Sequence, residues 1–147
     1  MAGDDQSVLE ELSREECLGL VATQAVGRVA VADRGAPPLV VPVNFLLDGE
    51  RIVCRTDYGT KFRMLVLAEL PVSFEVDHVE AGTREGWSVL LQGEVEELGE
   101  WDAQQLRLEP WAPGRKPHWV RLQPQSISGR RLRLPELPEA QRRRGYL

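Results

Sequence analysis

The feature that most constrains the fold is a succession of short apolar or alternating segments separated by turn residues. The six segments are residues 26–32, 39–47, 51–56, 72–77, 86–96 and 118–122. Strict alternation of apolar and polar residues, as in residues 72–77, is typical of a strand with one buried face. The dipeptide Asp48-Gly49 is a hairpin signal, because both residues tolerate positive φ angles. Many short strands with few helices predict an antiparallel β-barrel of the α+β class.

Three short helices are predicted between these strands, over residues 14–24, 61–68 and 101–108. Ser13 and Glu16 have the spacing of a capping box, which begins the first helix. Thr60 is expected to cap the second helix, and Pro71 prevents its extension. Gly93 predicts a bulge that helps the sheet to close. The first three strands are expected to form a meander.

The composition indicates a single domain, 1–147, because 147 residues are enough to bury a core. The net charge of −5 opposes non-specific nucleic-acid binding. No apolar stretch approaches the roughly 20 residues of a membrane helix, and the acidic N-terminus lacks the order of a signal peptide. We therefore expect a cytoplasmic protein with no nucleic-acid or membrane partner. The N-terminal segment 1–12 and the tail 135–147 are expected to be mobile.

No arrangement of residues predicts a metal centre or a nucleophilic catalyst. Cys17 and Cys54 have no metal or redox spacing, so free, mostly buried thiols are expected. His78 and His118 lie far apart without ligand spacing. The sequence contains no Gly-x-Ser-x-Gly elbow and no glycine-rich nucleotide fingerprint. We predict no metal, and the catalytic residues stay unassigned.

The segment from Arg55 to Lys61 has the composition of an anion site. A helix beginning at Thr60 would offer unpaired N–H groups, Gly59 would let the backbone approach a ligand, and Thr56 would add a hydroxyl group. Arg55 and Lys61 would add positive charges suited to a phosphate monoester. Lys61 stands out because arginine supplies nearly all other positive charge; the only other lysine is Lys116. A capped helix with ordinary solvated charges is the alternative.

The apolar segment 39–47 contains Pro42, which removes a ladder donor and therefore indicates an edge or a bulge. Asn44 faces the same side, so that side is expected to carry a free carboxamide and an irregular backbone. Val43 and Phe45 are expected to pack on the other side. The alternative is a plain edge strand with a solvated asparagine.

Aromatic and basic residues further along the chain admit two interpretations each. Trp87 is either a ligand contact or a core residue, because large aromatic side chains dominate cores whatever the function. Arg130 and Arg131 either add phosphate contacts or are solvated arginines on a terminal strand.

Taken together, these segments resemble the pyridoxamine 5'-phosphate oxidase-like FMN-binding split-barrel family over residues 12–134. The motifs that carry the resemblance are Gly27-Arg28-Val29-Ala30, Pro42-Val43-Asn44-Phe45, Asp48-Gly49, Arg55-Thr56-Asp57-Tyr58-Gly59-Thr60-Lys61, Phe74-Glu75-Val76-Asp77 and Gly86-Trp87-Ser88-Val89. The implied fold is a six-stranded antiparallel split β-barrel with a few short helices.

The resemblance also implies a cofactor, its contacts and an assembly. Flavin mononucleotide (FMN) would place its phosphate at Arg55, Thr56, Thr60 and Lys61, and its ring along Pro42, Val43, Asn44 and Phe45. Trp87, Ser88 and Val89 would reach the cofactor from the adjoining strand, as part of the second subunit of a homodimer with cofactor at the interface.

The activity that the resemblance implies is an FMN-dependent oxidoreductase acting on a small-molecule substrate. A deazaflavin-dependent reductase is one alternative. A non-catalytic module that binds flavin or haem is another, and a structural barrel that has lost its cofactor ranks below both. The substrate-binding residues of the vitamin-processing oxidase have no counterpart that we can place, so oxidation of pyridoxamine phosphate is not predicted.

Overall fold

The computed structural model describes residues 7–135, which form eight strands and three short α-helices. The elements are β1 (Val8–Glu11), α1 (Arg14–Val21), β2 (Val26–Val31), β3 (Leu39–Asn44), β4 (Leu46–Asp48), β5 (Arg51–Thr56), α2 (Thr60–Phe62), β6 (Val72–Glu80), β7 (Glu85–Glu97), α3 (Glu100–Ala103) and β8 (His118–Arg133). The pairings are antiparallel, and the sheet order is β3-β2-β6-β7-β8-β5-β4, with β1 paired to β8. This curled sheet confirms the predicted α+β split barrel.

The strand count is eight instead of six because two pairings were not visible locally. The segment 39–47 divides at Phe45, where the chain leaves β2 and begins to pair with β5. Residues 8–11, which fall in the segment expected to be mobile, pair with residues 130–133 of β8. The tail prediction for 136–147 lies outside the described residues.

Strand β8 is longer than predicted and runs on to Arg133. The predicted strand ended at Leu122, but the observed strand continues through Pro124, which lies opposite Gly93, where the β7–β8 register shifts. The predicted bulge at Gly93 is therefore confirmed. A Cβ atom on Gly93 would collide with the Gln123 carbonyl oxygen, so the bulge requires glycine.

Both pairings of the predicted meander occur, but its middle segment is divided, so the two hairpins lie at opposite ends of the sheet order. Strand β2 pairs with β3 at one end, and β4 pairs with β5 at the other. The β4–β5 turn follows the prediction, since Asp48 pairs with Arg51 and Gly49 has a φ of 63°. The two ends of the sheet order are joined through Phe45, which links β3 directly to β4.

The helices are shorter than predicted. Ser13 caps α1 by accepting a hydrogen bond from the Glu16 N–H at 3.1 Å, as expected. Helix α2 has Gly59 as its N-cap with no side-chain cap bond, so Thr60 is not the cap, and a π-helical turn at Arg63–Leu67 follows. Helix α3 is a single turn that ends at Ala103, with Gln104 as its C-cap. None of the helices within residues 7–135 is long and apolar enough to cross a membrane.

The core fills the barrel with inward side chains from every long strand. Val43 and Phe45 belong to it, as predicted, and the Phe45 ring meets the Phe74 ring edge to face at 5.2 Å. Only about 20 Å³ of interior space remains among residues that include Cys54 and Lys61. The interior is therefore a packed core, and a ligand must bind outside it.

Candidate functional site

The candidate site is a cleft of about 360 Å³ at the mouth of the barrel, referred to below as the cleft. One wall is strand β3, including Pro42, Val43 and Asn44. The other side is formed by Arg55, Lys61 and the loop 110–116. Ligand pockets span about 300–1,000 Å³, so the cleft is large enough for a small cofactor.

The β3 wall is an edge, as Pro42 predicts, because β3 pairs only with β2 among the described strands. The Asn44 carboxamide was expected to be free, but both of its ends are bonded. Its Nδ2 donates to the Ala25 carbonyl at 3.2 Å, and its Oδ1 accepts from the Trp111 N–H at 2.8 Å. Asn44 therefore ties the loop to the barrel.

Arg55 points away from the core and holds the same loop. Its Nη1 donates to the Leu108 carbonyl at 2.9 Å, and its Nε donates to the Lys116 carbonyl at 3.0 Å. Its guanidinium carbon lies 4.8 Å from the centre of the Trp119 ring, a cation–π distance. Two of the five guanidinium N–H donors are thus engaged by backbone.

The two lysines of the chain meet in the cleft. Both ammonium-bearing side chains are partly buried, and Lys116 Nζ lies 4.0 Å from Asp57 Oδ2. Burial lowers the pKa of Lys61, the charge of Lys116 acts in the same direction, and the Asp57 carboxylate opposes them in part. Among residues 7–135, no hydrogen bond or ion pair engages the Lys61 ammonium group. The cleft is therefore positively charged and suited to an anion.

Neither predicted threonine contributes a free hydroxyl to the cleft. Thr56 is fully buried, and its hydroxyl donates to the Asp57 carbonyl at 3.2 Å. Thr60 is exposed and does not line the cleft. Of the four residues expected at the phosphate, the structure brings only Arg55 and Lys61 to this place.

The β7 residues expected at the cofactor lie elsewhere in the single chain. Trp87 packs against the core, Val89 is buried, and Ser88 faces outward. Ser88 lines a separate groove of about 450 Å³ together with Leu90 and Arg130. One chain therefore does not bring these three residues to the cleft.

Lys116 and Trp111 line the cleft and were not predicted from the sequence. The loop that carries them reaches the cleft through contacts with Asn44 and Arg55, which are distant in sequence. The rarity of lysine, which drew attention to Lys61, was the one available signal for Lys116.

Few of the described side chains near the cleft could take part in acid–base or metal chemistry. Burial raises the pKa of the Cys54 thiol to about 12, so the thiol stays protonated at neutral pH. Within residues 7–135, no group of three or more His, Cys, Asp or Glu side chains is arranged to hold a metal ion. The described lining of the cleft contains no carboxylate.

Several known proteins are similar to this chain in sequence or fold. Residues 13–131 match the family described as pyridoxamine 5'-phosphate oxidase. An uncharacterized protein of Mycobacterium tuberculosis, Rv0080, is 33% identical over 129 residues, covering 83% of this chain and 84% of that protein.

Two solved structures share the fold over most of their length. An FAD-binding protein from Mesorhizobium loti has a TM-score of 0.71 and 26% identity, covering 86% of this chain and 98% of its own. The FAD binding protein from Mycobacterium smegmatis has a TM-score of 0.66 and 28% identity, covering 86% of this chain and all of its own. By its sequence match and its fold, the chain belongs to the pyridoxamine 5'-phosphate oxidase family.

Proposed function

We propose that the protein binds a flavin nucleotide in the cleft and acts as an oxidoreductase on a small-molecule substrate. The observation that carries the proposal is the half-buried Lys61 ammonium group, which has no hydrogen-bonding partner in the described chain and stands beside an apolar strand edge. FMN is the first candidate. FAD is the second, because two solved relatives at 26% and 28% identity are FAD-binding proteins.

The two sides of the cleft fit the two ends of such a molecule. Pro42, Val43 and Trp111 offer apolar surface for a flat ring, while Lys61 offers positive charge for a phosphate group. The ring would lie along Pro42 to Phe45, with Phe45 acting from the core beneath the strand. Because the Asn44 carboxamide is bonded at both ends, it would position the loop and leave ring recognition to the strand backbone.

The chain's own contribution to catalysis is binding and orientation. A bound flavin supplies hydride or electron transfer, so the protein need not provide an acid–base pair. The titratable residues that line the cleft are three cations and one of them, Arg55, is occupied by backbone. The loop that carries Trp111 would shield one side of the ring from water.

We further propose a homodimer whose interface is the outward face of β7 and β8. This outer sheet face consists of Ser88, Leu90, Gln92, Ser126, Ser128 and Arg130. It is exposed, nearly uncharged and contains Leu90, and the cores of interfaces are depleted in charged residues. Ser88 lies outside its own chain's cleft, so a contact with cofactor would be made to the partner's cofactor.

The test is a titration of purified protein with FMN, FAD, riboflavin and a deazaflavin, followed by flavin fluorescence. We expect FMN or FAD to bind more tightly than riboflavin, which has no phosphate. Lys61→Met should weaken FMN binding about tenfold to hundredfold, the value of one charge-assisted hydrogen bond, and leave riboflavin binding unchanged. Arg63→Met, an exposed cation on the same segment, is the matched control.

Two outcomes would overturn parts of the proposal. If no flavin or deazaflavin binds, the cofactor assignment is wrong; absorption after reconstitution with haem then tests the haem-binding alternative. If flavin binds but neither NADH nor NADPH reduces it under anaerobic conditions, a flavin carrier replaces the oxidoreductase.

A further inference from the structure

We infer that Lys116 is a second phosphate-binding residue of the cleft, and that Arg55 is a positioning residue that fixes Lys116 in place. The inference rests on the proposed function, because it assigns the residues that hold the phosphate of the same flavin. It differs from the motif-based expectation, in which Arg55 itself grips the phosphate.

The two lysines place two positive charges in one cleft. Lys61 and Lys116 line the same cleft, and the Lys116 side chain is only 19% exposed. The nearest carboxylate of Lys116 is that of Asp57, whose side chain is 63% exposed and whose oxygen lies at 4.0 Å, too far for a hydrogen bond. Asp57 also acts on Lys61, so a single largely exposed carboxylate faces two partly buried positive charges. A phosphate group carries about −1.5 to −2 charge and would balance both.

Arg55 directs its hydrogen-bond donors to the backbone of the loop. Its Nε donates to the carbonyl oxygen of Lys116 itself, so the guanidinium determines where the Lys116 backbone lies. Its Nη1 holds the loop eight residues earlier, at Leu108, and its flat face lies on Trp119. To grip a phosphate with the same donors, Arg55 would have to release the loop. The geometry therefore gives the charge contact to Lys116 and the anchoring to Arg55.

The loop that carries Trp111 and Lys116 is held to two strands of the barrel. Trp111 is tied to Asn44 of β3, and Lys116 is tied to Arg55 of β5. The loop between them is thus held at two points along the cleft wall. Arg115, next to Lys116, is exposed and lines a different depression, so adjacent residues of similar charge differ in their access to the cleft.

The experiment measures the affinity of FMN and of riboflavin for the wild type, Lys116→Ala and Arg115→Ala. The ratio of the two affinities reports the phosphate alone, because the ring is common to both ligands. We expect Lys116→Ala to lower this ratio about tenfold or more and Arg115→Ala to change it less than about twofold. An unchanged ratio in Lys116→Ala, with the ratio still lowered by Lys61→Met, would overturn the inference and leave the proposed function standing. Absence of flavin binding by the wild type would overturn both.

A double-mutant cycle separates the role of Arg55 from that of a phosphate ligand. If Arg55 acts through Lys116, Arg55→Met should lower the ratio alone but add less than about twofold in the Lys116→Ala background. Fully multiplicative losses would show that Arg55 contacts the phosphate directly. Amide hydrogen exchange over residues 108–116 should become faster in Arg55→Met and stay unchanged in Lys116→Ala; no acceleration in Arg55→Met would contradict the anchoring role.

Discussion

The cleft and the outer sheet face differ in the charge and polarity of the side chains that they expose. The cleft places two lysines and an arginine beside apolar strand residues, with no carboxylate in its described lining. The outer sheet face has small neutral side chains around Leu90, with Arg130 at one end. A charged concave site calls for an anion, whereas a flat neutral surface suits another copy of itself. We therefore propose that the first region serves cofactor binding and the second serves assembly.

The largest effect is expected from a charge on the outer sheet face. Leu90→Lys would bring like charges together across a two-fold interface and should raise the dimer dissociation constant about a hundredfold or more. Leu67→Lys, an equal change at another exposed leucine, should leave the dimer intact. Sedimentation velocity or light scattering at micromolar concentration measures both. A wild-type monomer at that concentration would remove the assembly role.

Truncation of two neighbouring residues of β7 should change the free energy of unfolding by very different amounts. Val89 is 1% exposed, so Val89→Ala should lower the free energy of unfolding by about 2 kcal/mol through lost burial. Ser88→Ala should change it by less than about 0.5 kcal/mol, as is usual for surface residues. Urea denaturation of both variants provides the values. Similar losses in both would show that Ser88 is not on an outward face.

The cleft should show a pH dependence that the outer sheet face lacks. Burial lowers the pKa of Lys61, so its charge is lost at a lower pH than that of an ordinary lysine. The ratio of FMN to riboflavin affinity should accordingly fall as pH rises through the alkaline range toward the ordinary lysine pKa near about 10.4. Lys61→Arg should keep the ratio constant, because arginine stays charged throughout. A wild-type ratio that does not move would contradict this role of Lys61.

The smallest effect concerns stability without ligand. Because the folded state lowers the pKa of Lys61, it binds that proton less well than the unfolded chain does, and the charge opposes folding below the folded-state pKa. Lys61→Met should therefore stabilise the ligand-free protein at neutral pH, by less than about 1 kcal/mol for a partly exposed group. The gain should shrink as pH rises through the folded-state pKa. Chemical denaturation at neutral and alkaline pH measures it, and a loss of stability would indicate a structural partner for Lys61.

The parts of the fold that local sequence encodes were predictable. Alternation located strands β6 and β7, apolar composition and the Asp48-Gly49 turn located β2 and β5, and Gly93 located the bulge, because these signals are local properties of the sequence. Strand β1 and the end of β8 were not, since Val8–Glu11 is a strand only through pairing with residues more than a hundred positions away. The continuation of β8 through Pro124 likewise depends on the opposing Gly93, which is distant in sequence.

The same division applies to the cleft. Pro42 and Lys61 could be predicted because the missing N–H of a proline and the rarity of lysine are properties of the sequence itself. Lys116 and Trp111 were not, because hydrogen bonds from Arg55 and to Asn44 bring them there across more than 60 residues of chain. Arg55 was found as a residue but not in its role, since the direction of its guanidinium depends on that same loop.

The most direct test of the account is a crystal structure of the protein with FMN. We expect a phosphate oxygen within about 2.7–3.2 Å of the Lys61 ammonium nitrogen, which is the hydrogen-bond range. We expect the ring to lie along Pro42 to Phe45. A flavin bound away from Lys61, with its phosphate in solvent or on another surface of the barrel, would contradict it.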